Sequence, residues 1–583
     1  MASAQQPMAL AQPGRLDLIP LDSTDEVRVG YSLNRLGSKG KIESMHVLFR
    51  LVSVAVAVVL TGCAVPSQVI MLPEPTAEQP FDYTATGVVT IQVADTSPFA
   101  TYYPINQVTF APKDVEASEE SKYLRAAPIS GKGESSKLFV AELPAGEYSI
   151  SSLRSFHVVG SGWFSQVYPG GITLGTFKVE PGQLTDLGVV VVYVRRSGDD
   201  YGFATTRAAS ANRAVDHLRA ALPARAQAIG NFDEPLLWDD DGLDDDRYNA
   251  YLNAVNRQIA LGVPDIDVDT GSLTFPGPLG VMLTRTSDRE WQLDAYEDDI
   301  EIRFFNRTAA REWMVTEFDE LFMRETDDGE WQQHAAPGDD AETLIFVGEN
   351  SAGAPFAITR RDDFITIWTA NAVGGDWATR HSIESKRSVW TGNTDLARFS
   401  TVARSGDYIF LALRNKLYRY AVDAATLGEV DGMSPDSLQT RNRYITATSG
   451  SMFASDKVSF DNGTSWTKYR GDLIPLDYEE KKKNNRRTGV RAINTVGHPI
   501  FIDQNVAYAI QDGGQNKDNF LIKSTNGAKT WSQKGMADLP EGCNQLVLAT
   551  ESEVLLGCYL TGEFYRSDDG GASWTLERSV SET

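Results

Sequence analysis

Three stretches near the C-terminus carry one pattern: Ser459-Phe-Asp461-Asn-Gly463-Thr-Ser-Trp466, Ser524-Thr-Asn526-Gly-Ala-Lys-Thr-Trp531 and Ser567-Asp-Asp569-Gly-Gly571-Ala-Ser-Trp574. Each part of it has a local physical reason. Asp or Asn side chains and the Ser hydroxyl hydrogen-bond the backbone of a tight turn. Glycine takes a conformation that other residues resist, and tryptophan packs beneath the turn. Such a segment is a self-contained hairpin. Its copies begin 65 and 43 residues apart, the range of one small sheet plus an insertion. The second copy departs from the others, with Asn526 for Asp and Ala528 for the second glycine. Degenerate echoes occur at Arg285-Thr-Ser-Asp-Arg-Glu-Trp291 and Thr326-Asp-Asp-Gly-Glu-Trp331.

The form Ser-x-Asp-x-Gly-x-Thr/Ser-Trp resembles the Asp-box, or BNR repeat, of sialidases, sortilin-type receptors and photosystem II assembly factors. The resemblance implies a β-propeller in which each turn lies between the outer strands of a blade, away from the central ligand face. It implies a structural role for Ser459, Asp461, Gly463, Trp466, Ser524, Asn526, Trp531, Ser567, Asp569, Gly571 and Trp574. At about 40–50 residues per blade, residues 271–583 are expected to form about seven blades.

Upstream of this region the chain is also mainly β. Residues 84–195 contain short alternating or β-branched runs, such as Gly87-Val-Val-Thr-Ile-Gln-Val93 and Leu187-Gly-Val-Val-Val-Val-Tyr193, separated by Pro/Gly turns. They predict a β-sandwich of about seven strands. Its Leu-Pro-Ala-Gly-Glu-Tyr stretch resembles prealbumin-like sandwiches of envelope proteins. Residues 196–270 change to helical spacing and are read as a helical connector. One helix is expected from Ala208 to a stop at Pro223, and a second from Arg247 to Leu261 with Tyr248, Tyr251, Leu252, Val255 and Ile259 apolar.

The N-terminal region carries an export signal. Met45-His-Val-Leu-Phe-Arg50 leads into an almost wholly apolar run of residues 51–60, then Leu60-Thr-Gly-Cys63. A basic start, a short apolar core and small residues at a cut site make a secretory signal, too short to span a bilayer. Leu60-Thr-Gly-Cys63 resembles the lipobox of bacterial lipoproteins. The resemblance implies cleavage before Cys63 and lipidation (palmitate-type acyl chains) on that residue. Ala64, rather than Asp, implies sorting to the outer membrane. Residues 45–62 are therefore expected to be a signal peptide, 63–83 a lipidated, proline-containing tether, and 1–44 a non-native extension ahead of the true initiator Met45.

The net charge of −25 over 583 residues repels phosphate backbones, and no nucleic-acid partner is expected. With Cys63 lipidated, Cys543 and Cys558 remain as an even pair. They flank a short hairpin in an exported chain, and a disulfide is expected between them. The six histidines show no metal-ligand spacing. The densest acidic run, residues 239–246, makes Asp239, Asp241 and Asp245 calcium candidates, yet Leu237 and Tyr248 fall where the EF-hand register needs its first and last ligands. The alternative reading of those acids is a solvated helix entry. No other cofactor is implied.

Sialidases with this repeat use an arginine triad, a Tyr–Glu pair and an Arg-Ile-Pro element. This chain has no Arg-Ile-Pro, and Tyr478-Glu479-Glu480 is read as a solvated loop, so no residue receives a catalytic role. A basic run, Lys481, Lys482, Lys483, Arg486 and Arg487, stands inside an acidic chain as a candidate partner contact. The expected function is a lipid-anchored cell-envelope binding or assembly protein whose non-catalytic propeller binds a protein or glycan. The alternative is a surface exo-glycosidase related to sialidases. A photosystem assembly factor fits the acidic balance and the additional sandwich poorly.

Overall fold

The computed structural model describes residues 70–579, except 73–82, 98–103, 115–121, 130–135, 160–161, 171–172, 198–199, 209–217, 220–221, 257–263, 268–269, 297–299, 327–328, 340–341, 385–399, 414–415, 450–455, 514–517 and 559–560, and residues 309, 362 and 442. Cys63 and the signal segment lie outside the described residues. The fold is mainly β: a two-sheet sandwich, a short helical connector and a propeller.

In the sandwich, one sheet runs in the order Asp200–Ala208, Leu184–Ser197, Thr86–Asp95, Ser136–Pro144. The other is built around Gly146–Val159, which pairs with Gln107–Pro112, Gly162–Pro169 and Thr176–Val179. Val89, Ile91, Phe110, Phe139, Phe177, Val190 and Val192 fill the space between the sheets. The strand Leu184–Ser197 explains its own unbroken apolar run. Val190 and Val192 face the sandwich core. Val189, Val191 and Tyr193 face the other way, against Ala254 of the connector and Leu279 and Val281 of the first propeller sheet. A strand covered on both faces has no polar alternation to show.

The connector differs from its sequence reading in three respects. Strand Asp200–Ala208 falls within the stretch read as helical, yet it extends the sandwich sheet by pairing with Leu184–Ser197. Leu218 and Arg219 are helical and Leu222 N donates to Leu218 O (2.8 Å), so a helix does reach Pro223, but the proline also opens a further short helix, Pro223–Ala228. At the first helical position proline's missing N–H is no loss and its fixed φ suits the helix. The second helix is Asp244–Asn256, with Asp244, Asp245 and Asp246 in its first turn, where carboxylates meet the positive end of the helix dipole. Its covered face is Arg247, Ala250, Tyr251 and Ala254, whereas Tyr248 is 60% exposed. Residues 209–217, 220–221 and 257–261 of the two expected helices lie outside the described residues.

Beyond the connector, the described residues form seven successive sheets, each built on an antiparallel meander of four consecutive strands, with two further short strands on the edge of the sixth. The meanders cover residues 265–295, 302–334, 343–384, 400–429, 437–468, 495–532 and 543–578. An apolar layer separates each sheet from the next. Met282, Phe305 and Met314 lie between the first and second, for example, and Ile358, Ile409 and Leu411 between the third and fourth. The seventh packs on the first through Leu548, Leu555 and Phe564 against Leu273, Phe275 and Leu283. The ring of sheets is thereby closed, which is what makes it a propeller and leaves only short, protected edges. The first strands of neighbouring sheets approach one another around the axis. Asn306 Nδ2 donates to Val347 O (3.1 Å) and Leu438 N to Thr401 Oγ1 (3.1 Å). Sandwich and propeller also share a buried polar joint, Gln92 Nε2 donating to Glu317 Oε1 at 2.7 Å.

Candidate functional site

The three Ser-x-Asp/Asn turns occupy one topological position, between the third and fourth strands of the fifth, sixth and seventh sheets. Their backbone bonding is the same, and only the hydroxyl contact is reversed in the second copy, where Asn526 Nδ2 donates to Thr530 Oγ1 (2.8 Å). Ser459 Oγ donates to Asp461 Oδ1 (2.9 Å) and accepts from Gly463 N (2.7 Å), while Asp461 accepts from Ser465 N (2.8 Å) and Ser465 Oγ (2.6 Å). Ser567 and Asp569 repeat this with Gly571 N (2.7 Å), Ser573 N (2.9 Å) and Ser573 Oγ (2.6 Å). The hydrogen bonds from Ser573 and Ser567 hold the Asp569 carboxyl down at about 2. In the second copy, Ser524 Oγ accepts from Ala528 N (2.9 Å) and Asn526 accepts from Thr530 N (3.0 Å). These side chains are consumed by the turns that they close.

Tryptophan marks this position beyond the three full copies. Trp291, Trp331, Trp466, Trp531 and Trp574, together with Trp377 in the third sheet, all stand at the start of a fourth strand. Each packs into the layer between its own sheet and the preceding one. Trp377 escaped the sequence reading because Ala370-Asn-Ala-Val-Gly-Gly-Asp-Trp377 lacks the leading serine. Its signal was the Gly-Gly-Asp-Trp ending.

At the seam between the last and first sheets, the echo that begins at Arg285 has changed chemistry. Arg285, 1% exposed, replaces the serine and donates to Glu553 (Nη2–Oε2 3.0 Å) and Glu577 (Nε–Oε1 2.7 Å), and Trp291 Nε1 donates to Glu577 (3.0 Å). On the opposite face of the seventh sheet, in the layer against the sixth, Cys543 and Cys558 are directly opposed on adjacent strands and joined by a disulfide.

The basic run lies in the connection between the fifth and sixth sheets. Lys481, Lys482 and Lys483 end an exposed helix, Tyr478–Lys483, with Arg486 and Arg487 just beyond. Tyr478-Glu479-Glu480, read as loop, is the first half of this helix. The flanking strands Asp472–Ile474 and Arg491–Ala492 add to the outer edge of the sixth sheet, beyond Thr530–Ser532 and farthest from its first strand. Gly471 allows that docking. A Cβ there would lie 2.1 Å from Ala528 O and 2.5 Å from Lys529 O.

The acidic run is held by arginines. Asp241 takes Arg247 Nη1 (2.6 Å) and Nη2 (2.5 Å), which pulls its carboxyl down to about 2. Asp244 pairs with Arg207 (2.7 Å), and Asp239 accepts from Thr176 Oγ1 (2.8 Å). Both guanidiniums are buried, so the cluster fixes the second helix to the sandwich. Asp245 is exposed in the helix's first turn. Among the described residues no group of three or more acidic, His or Cys side chains is arranged to hold a metal.

A second group of charges, not singled out in the sequence, lines the propeller axis at the ends of first strands: Asp265, Arg307, Glu349, Arg404 and Arg441. Burial raises the Asp265 carboxyl to about 6 despite Arg307, and burial lowers the Arg441 guanidinium to about 10. His498, on the first strand of the sixth sheet, is held neutral: burial, then Arg441, lowers it to about 4. It bonds Ser437 (3.0 Å) and Thr446 (2.8 Å).

No protein-family model matches the chain, and neither does any curated protein. Among solved structures, YCF48 bound to D1 peptide is similar over 50% of this chain and 88% of its own, at 12% identity and a TM-score of 0.34. YCF48 from Cyanidioschyzon merolae is similar over 50% and 90%, at 13% identity and a TM-score of 0.32. A GH74 xyloglucanase from Xanthomonas campestris is similar over 55% and 67%, at 10% identity and a TM-score of 0.28. The propeller assignment rests on sheet order and closure, and likenesses at these scores add no functional weight to it.

Proposed function

We propose that this chain is a lipid-anchored binding or assembly protein of the bacterial cell envelope, tethered through Cys63, probing its surroundings with a non-catalytic propeller of the Asp-box type. The matching backbone hydrogen bonds of Ser459/Asp461, Ser524/Asn526 and Ser567/Asp569 support reading those turns as Asp-boxes with scaffold roles. The observation that carries the binding function is the exposed basic helix Tyr478–Lys483, continued by Arg486 and Arg487, on the outer edge of the sixth sheet of a chain with net charge −25. A concentrated patch of the minority sign on a rigid support selects an acidic partner surface and steers its approach. An acidic envelope protein or glycan is the partner of this reading.

The test is affinity capture from detergent-solubilised envelopes. The bait is the full chain, compared with a variant in which Lys481, Lys482, Lys483, Arg486 and Arg487 are all changed to Gln. A partner captured by the first, lost from the second and released by salt supports the reading. A partner held equally by both removes the basic helix as the contact. Capture of nothing by either removes the scaffold function.

A further inference from the structure

Arg441 closes the first strand of the fifth sheet, Ser437–Arg441. Its Nη1 lies 3.4 Å from the carbonyl of Pro264, immediately before the first strand of the first sheet. The first and fifth sheets are not neighbours in the ring, so this guanidinium reaches across the axis. It is 5% exposed, and its Nε has no hydrogen-bond partner. Arg404, on the first strand of the fourth sheet, is the adjacent case. Its Nε donates to Gly406 O (3.2 Å) and its Nη2 to Glu349 O (3.1 Å), both backbone carbonyls.

The acids at this level of the axis are engaged elsewhere. Glu349 accepts from Thr308 Oγ1 (3.0 Å) and Arg311 Nη1 (2.9 Å), with Trp313 Nε1 at 3.3 Å. Glu312 takes Arg307 (2.7 Å) and Arg324 (2.6 Å). Asp265 accepts from Arg307 N (3.2 Å) and is itself held toward its neutral form by burial. His498 brings no negative charge. Asp407, Glu349, Asp265 and Asp423 all act on Arg404 from a distance, whereas none of them acts on Arg441, whose guanidinium is shifted by burial alone. A buried guanidinium with no counter-ion is destabilising, and buried, strongly perturbed charged groups of this kind cluster at functional sites. The planar fork of arginine matches a carboxylate with two parallel hydrogen bonds.

We propose that the propeller axis at Arg441, with Arg404 beside it, is a binding site for a carboxylate-bearing ligand. The site is independent of the docking surface at residues 481–487. Loss of envelope capture on neutralising that surface leaves carboxylate binding intact, and the reverse holds.

Calorimetric titration of the full chain tests it, using N-acetylglycine (a peptide-terminus carboxylate) and glucuronate (a sugar carboxylate), with N-acetylglycinamide and glucose as uncharged counterparts. At least one carboxylate is expected to bind, its neutral counterpart at least 10-fold more weakly. Which one binds names the source. Arg441→Met is expected to weaken binding at least 10-fold, with a ligand-free Tm no lower than that of the unaltered chain. Should that variant not fold, Arg441→Lys keeps the charge without the fork and is expected to bind at least 5-fold more weakly. Neither carboxylate binding, an amide binding equally well, or unchanged affinity in the foldable variant would overturn the proposal.

Discussion

The guanidinium of Arg285 lies 3.0 Å from the carboxylate of Glu553, joining the first propeller sheet to the last across 268 residues of sequence. Glu577 approaches the same guanidinium at 2.7 Å from the outermost strand of the seventh sheet. Closing a ring of sheets costs chain entropy that only contacts at the seam repay. Here an apolar layer and a buried ionic cluster act together.

Removing Arg285 alone takes the buried cation from between Glu553 and Glu577 and leaves them only the more exposed Arg289 (3.5 Å) and Arg566 (2.9 Å). Arg285→Met is therefore expected to destabilise the fold by about 3–5 kcal/mol, the range for breaking a buried ion pair from one side. Adding Glu553→Gln and Glu577→Gln should restore a large part of that loss. Urea midpoints of the single and triple variants check this. A single variant within about 1 kcal/mol of the parent would mean that the apolar layer holds the seam alone.

The glycines of the turns are required to different degrees. Gly463 has φ +76, and an added Cβ would lie 2.3 Å from the buried Phe410 ring. Gly571 has φ +98, with Leu521 Cδ2 at 2.5 Å. Gly463→Ala combines left-handed strain with overpacking and is expected to cost about 2–5 kcal/mol. Gly571→Ala should cost less, because the obstructing leucine tip can rotate. Ala528 already occupies the equivalent place at φ +60. Ala528→Gly exchanges strain relief against the loss of a buried methyl and should stay within about 1 kcal/mol of the parent. Thermal denaturation ranks the three, and the reverse order would reject this account of the turns.

The propeller was legible because its turns are local: Ser, Asp, Gly and Trp within eight residues bond to one another, so the pattern survives in one dimension. The sandwich strands were legible for the same reason, through alternation at Gly87 to Val93 and the turn after Leu143. What escaped depends on distant partners. Nothing in Ser-Leu-Gln-Thr-Arg441 distinguishes an arginine that crosses the axis from one in solvent. Arg285 looked like a degraded serine until Glu553 and Glu577 were seen beside it. Asp200 to Ala208 fell within the stretch read as a helical connector, because its place in the sheet is set by pairing with Val189 to Ser197 rather than by an alternation of its own.

The proposed lipidation of Cys63 has a direct readout. Cells fed labelled palmitate should yield labelled protein that partitions into the detergent phase, and the mature N-terminus should begin at residue 63. Cys63→Ser is expected to abolish the label and to move the protein to the aqueous phase, because two or more acyl chains give a stable anchor. Detection of residues 1–44 on the mature, labelled protein would instead show that the upstream segment is retained.

Asp95 makes the sandwich sensitive to pH. Its side chain is fully buried, Oδ1 accepts from Ser97 N at 2.8 Å and Oδ2 has no partner. Burial raises the carboxyl to about 7, with the Ser97 hydrogen bonds opposing. An acid raised on folding binds its proton more tightly in the folded chain than in the unfolded one. Its contribution is most favourable below about pH 4 and is lost progressively as pH rises to about 7, at up to ~1.4 kcal/mol per pH unit. Asp95→Asn removes the charge and keeps the oxygen that accepts from Ser97. Relative to the parent, it should therefore gain stability between pH 4 and 7, on the order of 3 kcal/mol in total, and no more above that. His498 works in the opposite sense, since a base lowered to about 4 favours the fold as pH rises from about 4 to 6.5. Only the difference between Asp95→Asn and the parent isolates the aspartate. Parallel stability curves for the two across pH 4–8 would show that Asp95 ionises in the folded chain as it does in water.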